Sequence, residues 1–535
     1  MQYIKKLKIQ GFKKFKSLNV EFNPNVNILV GENGAGKTTI LEAIKIVLNQ
    51  QYKNADKSIL EDLFNSDEIN KFRSSHSEKD LPRILIEIEF SLDENKDTIK
   101  FYGENHSDKF EAIQDSENPE VNKGSSEERY GITFKCEYNG EDDEDINALI
   151  KDGYIPYEYY SLSWTTFSGL SYQSTKRPLH SITINTSEKS TSPAFNYYNK
   201  TLFCSTYENA IRAKAKSNFR ASIDESFNKL GLSKINESTH FGLDGKKIIL
   251  ENILSVYENS ISLENQGSGR ENLIKTEIAL DKNSKIDVLL IEEPENHLSL
   301  TSLNQMIDKI VRQKDQSQII IATHSNVIAS RLNICNVLWI ANDRVRPLND
   351  LPEDTPDFFV KLPTNSFLQL LLSEKAILVE GPTEYLLLPK IYEQTNHTTL
   401  EEDKITVISC NGISYKRYLQ VAEFTNKKVL VLTDNDGKPE RIQEELDITG
   451  SQQRVYMSQD TKERTWEVCF YNQNKEKLTK LLGGERRSRK PTTSEDVILK
   501  RMLDHKVETA YKMLLSNTQF RIPDYITDAL QWIKM

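Results

Sequence analysis

Long apolar runs are missing from this sequence. No stretch approaches the roughly 18 uninterrupted apolar residues that a membrane span requires, and mean hydropathy is -0.56, so a polar-surfaced protein without membrane contact is expected. The first residues, Met1 to Lys8, alternate lysine with apolar positions and lack the apolar core and small-residue cleavage site of a secretory signal. A cytoplasmic location is the expectation. Cysteine is scarce, five in 535 residues. Cys136, Cys204, Cys335, Cys410 and Cys469 are scattered with no CxxC pair, which excludes a disulfide framework and a cysteine zinc site. An excess of cations is absent as well: 69 Lys and Arg face 79 Asp and Glu, a net charge of -10. Spread evenly, that charge would repel a polyanion, so nucleic-acid contact must use local basic patches or bridging metal ions.

The chain is long enough for about three to four units. It opens as a hairpin, Tyr3 to Ile9 and Leu18 to Phe22 with a turn at Gly11, then a buried strand Val26 to Val30 and a glycine-rich loop. Ile40, Leu41, Ile44, Val47 and Leu48 recur at helical spacing after that loop. Ile84 to Phe90 and Ile132 to Tyr138 alternate as half-buried strands. Acidic, polar stretches at 103–128 and 141–145 read as solvated loops. Residues 153–251 hold an aromatic run (Tyr154, Tyr157, Tyr159, Tyr160, Trp164), a Ser/Thr-rich stretch and a helix near Tyr207 to Leu230, and they read as an inserted helical or dimerisation element. From Asp287 onward strands and helices alternate in α/β fashion. The expected division is 1–152 and 252–365 for two parts of one ATPase domain around that insertion, and 366–535 for a second α/β domain.

Gly31, Glu32, Asn33, Gly34, Ala35, Gly36, Lys37 and Thr38 fit G-x-x-x-x-G-K-[ST], after a predicted strand and before a predicted helix. Glycines let backbone N–H groups from Asn33 to Thr39 crowd around phosphates, Lys37 reaches the β- and γ-phosphates, and the Thr38 hydroxyl faces Mg²⁺. ATP with Mg²⁺ is therefore the expected cofactor. The apolar strand Val288 to Ile291 runs into Glu292, which would hold the Mg²⁺ shell, and Glu293, which would polarise the attacking water. His324 follows the strand Gln318 to Ala322 and resembles the switch histidine of ABC ATPases. Gln266 to Glu271, with Ser268 and Gly269, resembles the ABC signature loop, which contacts ATP on a partner subunit.

A second acidic constellation lies downstream. Glu380 ends the strand Ile377 to Val379, Glu384 falls in the first turn of the next helix, and Asp434 and Asp436 follow the strand Val429 to Leu432. Carboxylates at the ends of neighbouring parallel strands converge at one sheet edge. Four acids in a small space call for divalent cations on oxygen ligands, and two such ions suit in-line phosphodiester hydrolysis.

An ABC-type ATPase followed by a Toprim domain resembles the overcoming-lysogenization-defect family of ATP-dependent nucleases. The resemblance covers nearly the whole chain. It implies that Glu380, Glu384, Asp434 and Asp436 bind Mg²⁺, with Mn²⁺ or Ca²⁺ as substitutes, and that Glu467 joins them. It also implies that Lys506 stabilises charge on the scissile phosphate, and that the chain is a homodimer or higher homo-oligomer acting on DNA. A role in defence against phage, with a partner protein or RNA, is implied too. Arg486, Arg487, Arg489 and Lys490 form a candidate DNA-contacting run, and Lys5, Lys6, Lys8, Lys13, Lys14 and Lys16 a weaker one. The competing expectations are an ATP-driven DNA-binding sensor whose Toprim site is inert, and a topoisomerase or primase. The last lacks an evident DNA-gate domain.

Overall fold

The structure is a computed structural model. It describes residues 2–104, 128–140, 144–185, 199–200, 202–204, 206–229, 239, 249–250, 253–280, 286–313, 316–352, 354–360, 366–410, 415–448 and 450–483, and 495–535. The chain divides into two compact units, Met1–Leu348 and Asn349–Met535. No helix among the described residues is long and apolar enough to cross a membrane.

The first unit opens with β1 (Tyr3–Phe12) and β2 (Phe15–Glu21), an antiparallel pair, followed by β3 (Val26–Val30) and α1 (Lys37–Asn49). The turn sits at Lys13, whose φ is 48°, not at Gly11. Gly11 lies inside β1, where an added Cβ would meet the Arg83 carbonyl oxygen at 2.0 Å, so glycine marks a close backbone approach there. β4 (Ile84–Ser91), β5 (Arg129–Tyr138) and β6 (Tyr160–Thr166) extend the hairpin into an antiparallel sheet of order β2-β1-β4-β5-β6, with a short strand at Tyr102–Gly103 also on β5. β7 (Ser181–Asn185), β8 (Val288–Glu292), β9 (Gln318–Ala322), β10 (Val337–Ala341) and β11 (Arg344–Pro347) join β3 in a second sheet of order β11-β10-β3-β9-β8-β7. It is parallel except at β10–β11. β3, β8 and β9 are buried at every position, as strands covered on both faces must be. Apolar residues of both sheets and α1 merge into one core.

Two expected boundaries move. The interval from 153 is not an insertion throughout, because β6 and β7 within it are strands of the two sheets of the first unit. The aromatic run is explained by period-two packing: Tyr160 and Trp164 are buried, and the Trp164 indole donates to the Ile46 carbonyl at 2.9 Å. α2 (Asn209–Lys229) is the expected helix, with no buried residue among those described. The second unit begins at Asn349 rather than near 366, because β11 closes the first unit against β10.

The two sheets of the first unit are stitched by one side chain. The β1–β4 register shifts between Ile4 and Lys6, and Gln318 at the start of β9 is fully buried beside that irregularity. Its amide accepts from the Ile4 N–H at 2.9 Å and donates to the carbonyls of Ile4 and Asn23, each at 2.9 Å. Gln318→Leu would remove these partners of the buried Ile4 N–H and carbonyl, whereas the Asn23 carbonyl keeps the Asn27 amide at 2.9 Å. We expect a loss of about 2 kcal/mol in unfolding free energy, read from urea midpoints.

The second unit is built on β12 (Lys375–Val379), β13 (Ile405–Ser409), β14 (Lys428–Leu432) and β15 (Gln453–Tyr456), all parallel, in the order β13-β12-β14-β15. Its helices include α4 (Pro382–Asn396), α5 (Pro439–Leu446), α6 (Trp466–Leu482), α7 (Lys506–Leu515) and α8 (Asp524–Lys534), while α3 (Ser268–Ala279) belongs to the first unit. The chain leaves β12 to one side for β13 and returns on the other for β14. That reversal opens a crevice beyond the carboxyl ends of β12 and β14, where α/β sheets bind ligands.

Candidate functional site

In the first unit, β3 delivers the chain into the 31–38 loop and α1 begins at Lys37. Gly36 takes a φ of 99°, and a Cβ there would lie 2.2 Å from the Phe15 ring. Glycine is thus required by both backbone and space. The Lys37 ammonium is folded onto the loop, donating to the carbonyls of Gly31 (3.0 Å) and Glu32 (3.2 Å). Burial holds it below the ordinary lysine range, against the attraction of Glu293, Glu295 and Glu292. The Thr38 hydroxyl donates to the Glu292 carboxylate, so the two groups expected to share a Mg²⁺ ion are in contact. Glu293 has a φ of 46° and accepts from the Asn296 amide at 2.6 Å. A left-handed glutamate is strained, and such strain clusters at functional sites. Burial first, then the Lys37 charge, keep His324 below its usual pKa and so neutral.

Glu295 was not singled out from sequence, yet it completes this site. Its carboxylate accepts from the Thr323 hydroxyl and the His324 N–H, each at 2.8 Å. The signal was available as a third acid in Glu292, Glu293, Pro294, Glu295 at the end of β8. Ser268 begins α3, and a Cβ on Gly269 would meet the His297 carbonyl oxygen at 2.5 Å, which sets the signature-like segment against the loop after β8. Three of the amino-terminal lysines are engaged internally: Lys5 pairs with Glu89 at 2.9 Å, Lys13 with Glu42, and Lys14 donates to the Gly34 carbonyl at 2.6 Å. They stiffen the phosphate loop and its sheet. Arg486, Arg487, Arg489 and Lys490 lie outside the described residues.

In the second unit, Glu380 follows β12 directly and Asp434 follows β14 after Thr433, on the two sides of the topological reversal. Glu380 accepts from the Thr433 hydroxyl (3.0 Å) and the Asp434 N–H (3.2 Å). Asp434 accepts from the Trp466 N–H at 2.8 Å. Glu384, in the first turn of α4, accepts from the Gly381 N–H at 3.1 Å and so caps its own helix. Glu467, 1% exposed in the first turn of α6, accepts from Thr383 Oγ1 at 3.3 Å and pairs with Lys506 Nζ at 3.1 Å.

These groups feel one another. Burial, then the charges of Glu380 and Glu384, push Asp434 up to about 8. Burial, with Glu467 and Glu380 adding to it against a backbone hydrogen bond, pushes Glu384 up to about 7. For Lys506 burial works downward, but Glu467, Asp434 and Glu384 outweigh it and hold the ammonium above its ordinary value. Among the described residues no three acidic, histidine or cysteine side chains form a ready-made metal cage. Each of these carboxylates accepts from a protein donor instead. The donor set nonetheless suits a hard divalent cation, being all oxygen, mostly buried, and including one Glu467 oxygen with no hydrogen-bond partner.

Asp436 departs from the expected group. Its carboxylate is turned onto Arg441 of α5, which also donates to the Thr433 hydroxyl at 3.2 Å. The residue between the two aspartates anchors the loop: Asn435 donates to the carbonyls of Ser458 (2.8 Å) and Asp460 (3.0 Å) and accepts from the Gly437 N–H (2.8 Å). Thr383 and Thr433 sit beside Glu384 and Asp434 in the chain and reach across to Glu467 and Glu380, cross-links that a threonine in sequence does not announce.

The family described as "AAA ATPase domain" matches residues 2–329, and the one described as "Overcoming lysogenization defect protein-like, TOPRIM domain" matches residues 371–436. Endonuclease GajA of Bacillus cereus (strain HuB5-5) is 24% identical over 84% of this chain and 79% of its own length. Old nuclease of Escherichia phage P2 is 26% identical over 30% of this chain and 30% of its own length. Among solved structures, the C-terminal region of the Xanthomonas campestris pv. campestris OLD protein matches 30% of this chain and 92% of that region, at 22% identity and a TM-score of 0.24.

Proposed function

This chain belongs to the AAA ATPase domain family, whose match spans residues 2–329, and we propose that it is a nuclease of the overcoming-lysogenization-defect kind, that ATPase domain followed by a Toprim domain: a divalent-metal-dependent DNA endonuclease whose cleavage is governed by ATP. The observation that carries the reading is the gathering of Glu380, Glu384, Asp434 and Glu467 beyond β12 and β14, with a buried Glu467 oxygen left without a donor. Glu380, Glu384, Asp434 and Glu467 would hold the ions, Mg²⁺ with Mn²⁺ or Ca²⁺ as substitutes, and Asp436 would join on leaving Arg441. Bound there, divalent cations supply an activated water and charge neutralisation for phosphodiester hydrolysis. Glu380 is oriented by two donors before any substrate arrives. The Lys506 ammonium, kept protonated by the acids around it, is available for the charge that builds on a phosphate.

In the ATPase domain Asn33 to Thr39 would cradle the triphosphate, Lys37 turning from the loop carbonyls to the phosphates and Thr38 with Glu292 holding Mg²⁺. Glu293 would orient the attacking water, and His324, neutral, would sense the γ-phosphate. Ser268 and Gly269 would meet ATP on a second copy, which is the support for a homodimer. The resemblance to the overcoming-lysogenization-defect family supports a role in defence against phage.

Supercoiled plasmid tests the nuclease. Wild-type protein with Mg²⁺ or Mn²⁺ is expected to nick or linearise it, while a chelator or Glu380→Ala removes the activity by at least about 100-fold. No cleavage under any metal or nucleotide condition would leave an ATP-driven DNA-binding sensor instead.

A further inference from the structure

A cluster of the opposite sign occupies the other end of the Toprim sheet. β12 and β14 begin with Lys375 and Lys428, which are direct partners in register, and β15 carries Arg454 opposite Leu430. Because side chains alternate along a strand, Lys375 and Lys428 share the face of Ile377, Val379, Leu430 and Leu432, and Arg454 that of Tyr456, against which α8 packs. Near the end of α8, Trp532 meets both: Lys428 Nζ lies 4.7 Å from its ring centroid and the Arg454 guanidinium 5.2 Å. All three cations retain access to solvent.

Among the described residues none of the three is paired with a carboxylate. The acids nearby are taken, Glu374 by Lys404 at 3.0 Å and Asp403 by Lys534 at 3.5 Å. Lys375 donates to the Lys534 carbonyl at 2.9 Å, and the Arg454 Nε is buried without a hydrogen-bond partner. Burial, with the charges of Lys375 and Arg454, holds Lys428 below its ordinary range. Two cation–π contacts offset this crowding by roughly 0.5–2 kcal/mol each but satisfy no N–H. A tetrahedral oxyanion is the ligand whose charge offsets such a cluster and whose oxygens accept from guanidinium and ammonium donors alike.

We propose that Lys375, Lys428 and Arg454 form a phosphate-binding site that takes backbone phosphates of a nucleic acid. The nucleic-acid part rests on the nuclease reading above. The site stands at the opposite strand ends from Glu380 and Asp434, about 15–20 Å away. That is about five base pairs of duplex, so it grips the strand flanking the cleaved bond.

The test is binding of a fluorescent duplex to the full chain in chelator, across a salt series, for wild type, Lys428→Ala with Arg454→Ala, and the charge-retaining pair Lys428→Arg with Arg454→Lys. The alanine pair is expected to weaken binding about tenfold and to lower the slope of log affinity against log salt by about 2, and the charge-retaining pair to restore both. A parallel arm follows thermal stabilisation by inorganic phosphate. Unchanged DNA affinity and slope with phosphate stabilising only wild type would overturn the nucleic-acid assignment and leave a free-phosphate site. Unchanged DNA binding and no phosphate effect would overturn the site altogether. If wild type binds no DNA under any salt, the nuclease reading fails, and the phosphate arm still decides on the cluster.

Discussion

Asp434→Asn is expected to do two opposite things: abolish DNA cleavage, by more than about 1000-fold, and stabilise the metal-free protein at alkaline pH. The second effect follows from the direction of the Asp434 shift, from the usual 3.8 up to about 8, caused by burial and then by Glu380 and Glu384. Between those two values the folded protein keeps a proton that the unfolded chain has released. The stability associated with that proton is fully present below about 3.8 and is lost as pH rises through about 8. Asparagine imitates the protonated acid and carries no charge to lose. In the presence of a chelator, the advantage of the variant over wild type is therefore expected to grow from near zero at about pH 4 to about 2 kcal/mol at about pH 9. The measurement is a pair of denaturation curves at each pH. A variant no more stable than wild type at the alkaline end would mean that Asp434 is not under electrostatic strain, and the cation requirement would lose its physical cause.

The second large effect concerns Lys37 and Glu293. Lys37→Ala removes an ammonium buried against the 31–38 loop and is expected to weaken ATP binding by at least about 100-fold. Glu293→Gln keeps the shape of that side chain and its contact with Asn296. It is expected to bind ATP as wild type does while turnover falls by about 100- to 1000-fold. Such a variant holds the nucleotide-bound state, so size-exclusion chromatography with ATP should show it as the larger oligomer, whereas Lys37→Ala does not shift. ATP binding undiminished in Lys37→Ala would remove the assignment of the phosphate loop.

Local features of this chain were readable because their physics is local. Continuous apolar strands such as Val288 to Ile291 announce burial on both faces, and the glycine spacing at 31–36 announces a backbone brought close to phosphates. The acids that end β8, β12 and β14 could be placed because a strand end has a definite position in an α/β sheet. Tyr160, Trp164 and the strand at Ser181 were misassigned to an insertion because a lone strand gives no sign of which sheet it joins. Glu295 is marked in the sequence only as a third acid because its partners Thr323 and His324 become neighbours only through folding, and Arg441, five residues from Asp436, carries no mark because a lone arginine in a helix is ordinarily a solvated one.

By itself the amino-acid order determined that two phosphate-chemistry motifs occur, in which sequence, and on which kinds of element, since strand periodicity and glycine spacing are properties of consecutive residues. The tertiary structure alone decided which acids meet. β14 returns beside β12 and α6 brings Glu467 against Thr383 and Lys506, so Glu467 faces the other acids as the resemblance implied, while Asp436 is turned onto Arg441. Coulomb energy depends on distance through space and on burial, and neither is written in the separation of residues along a chain.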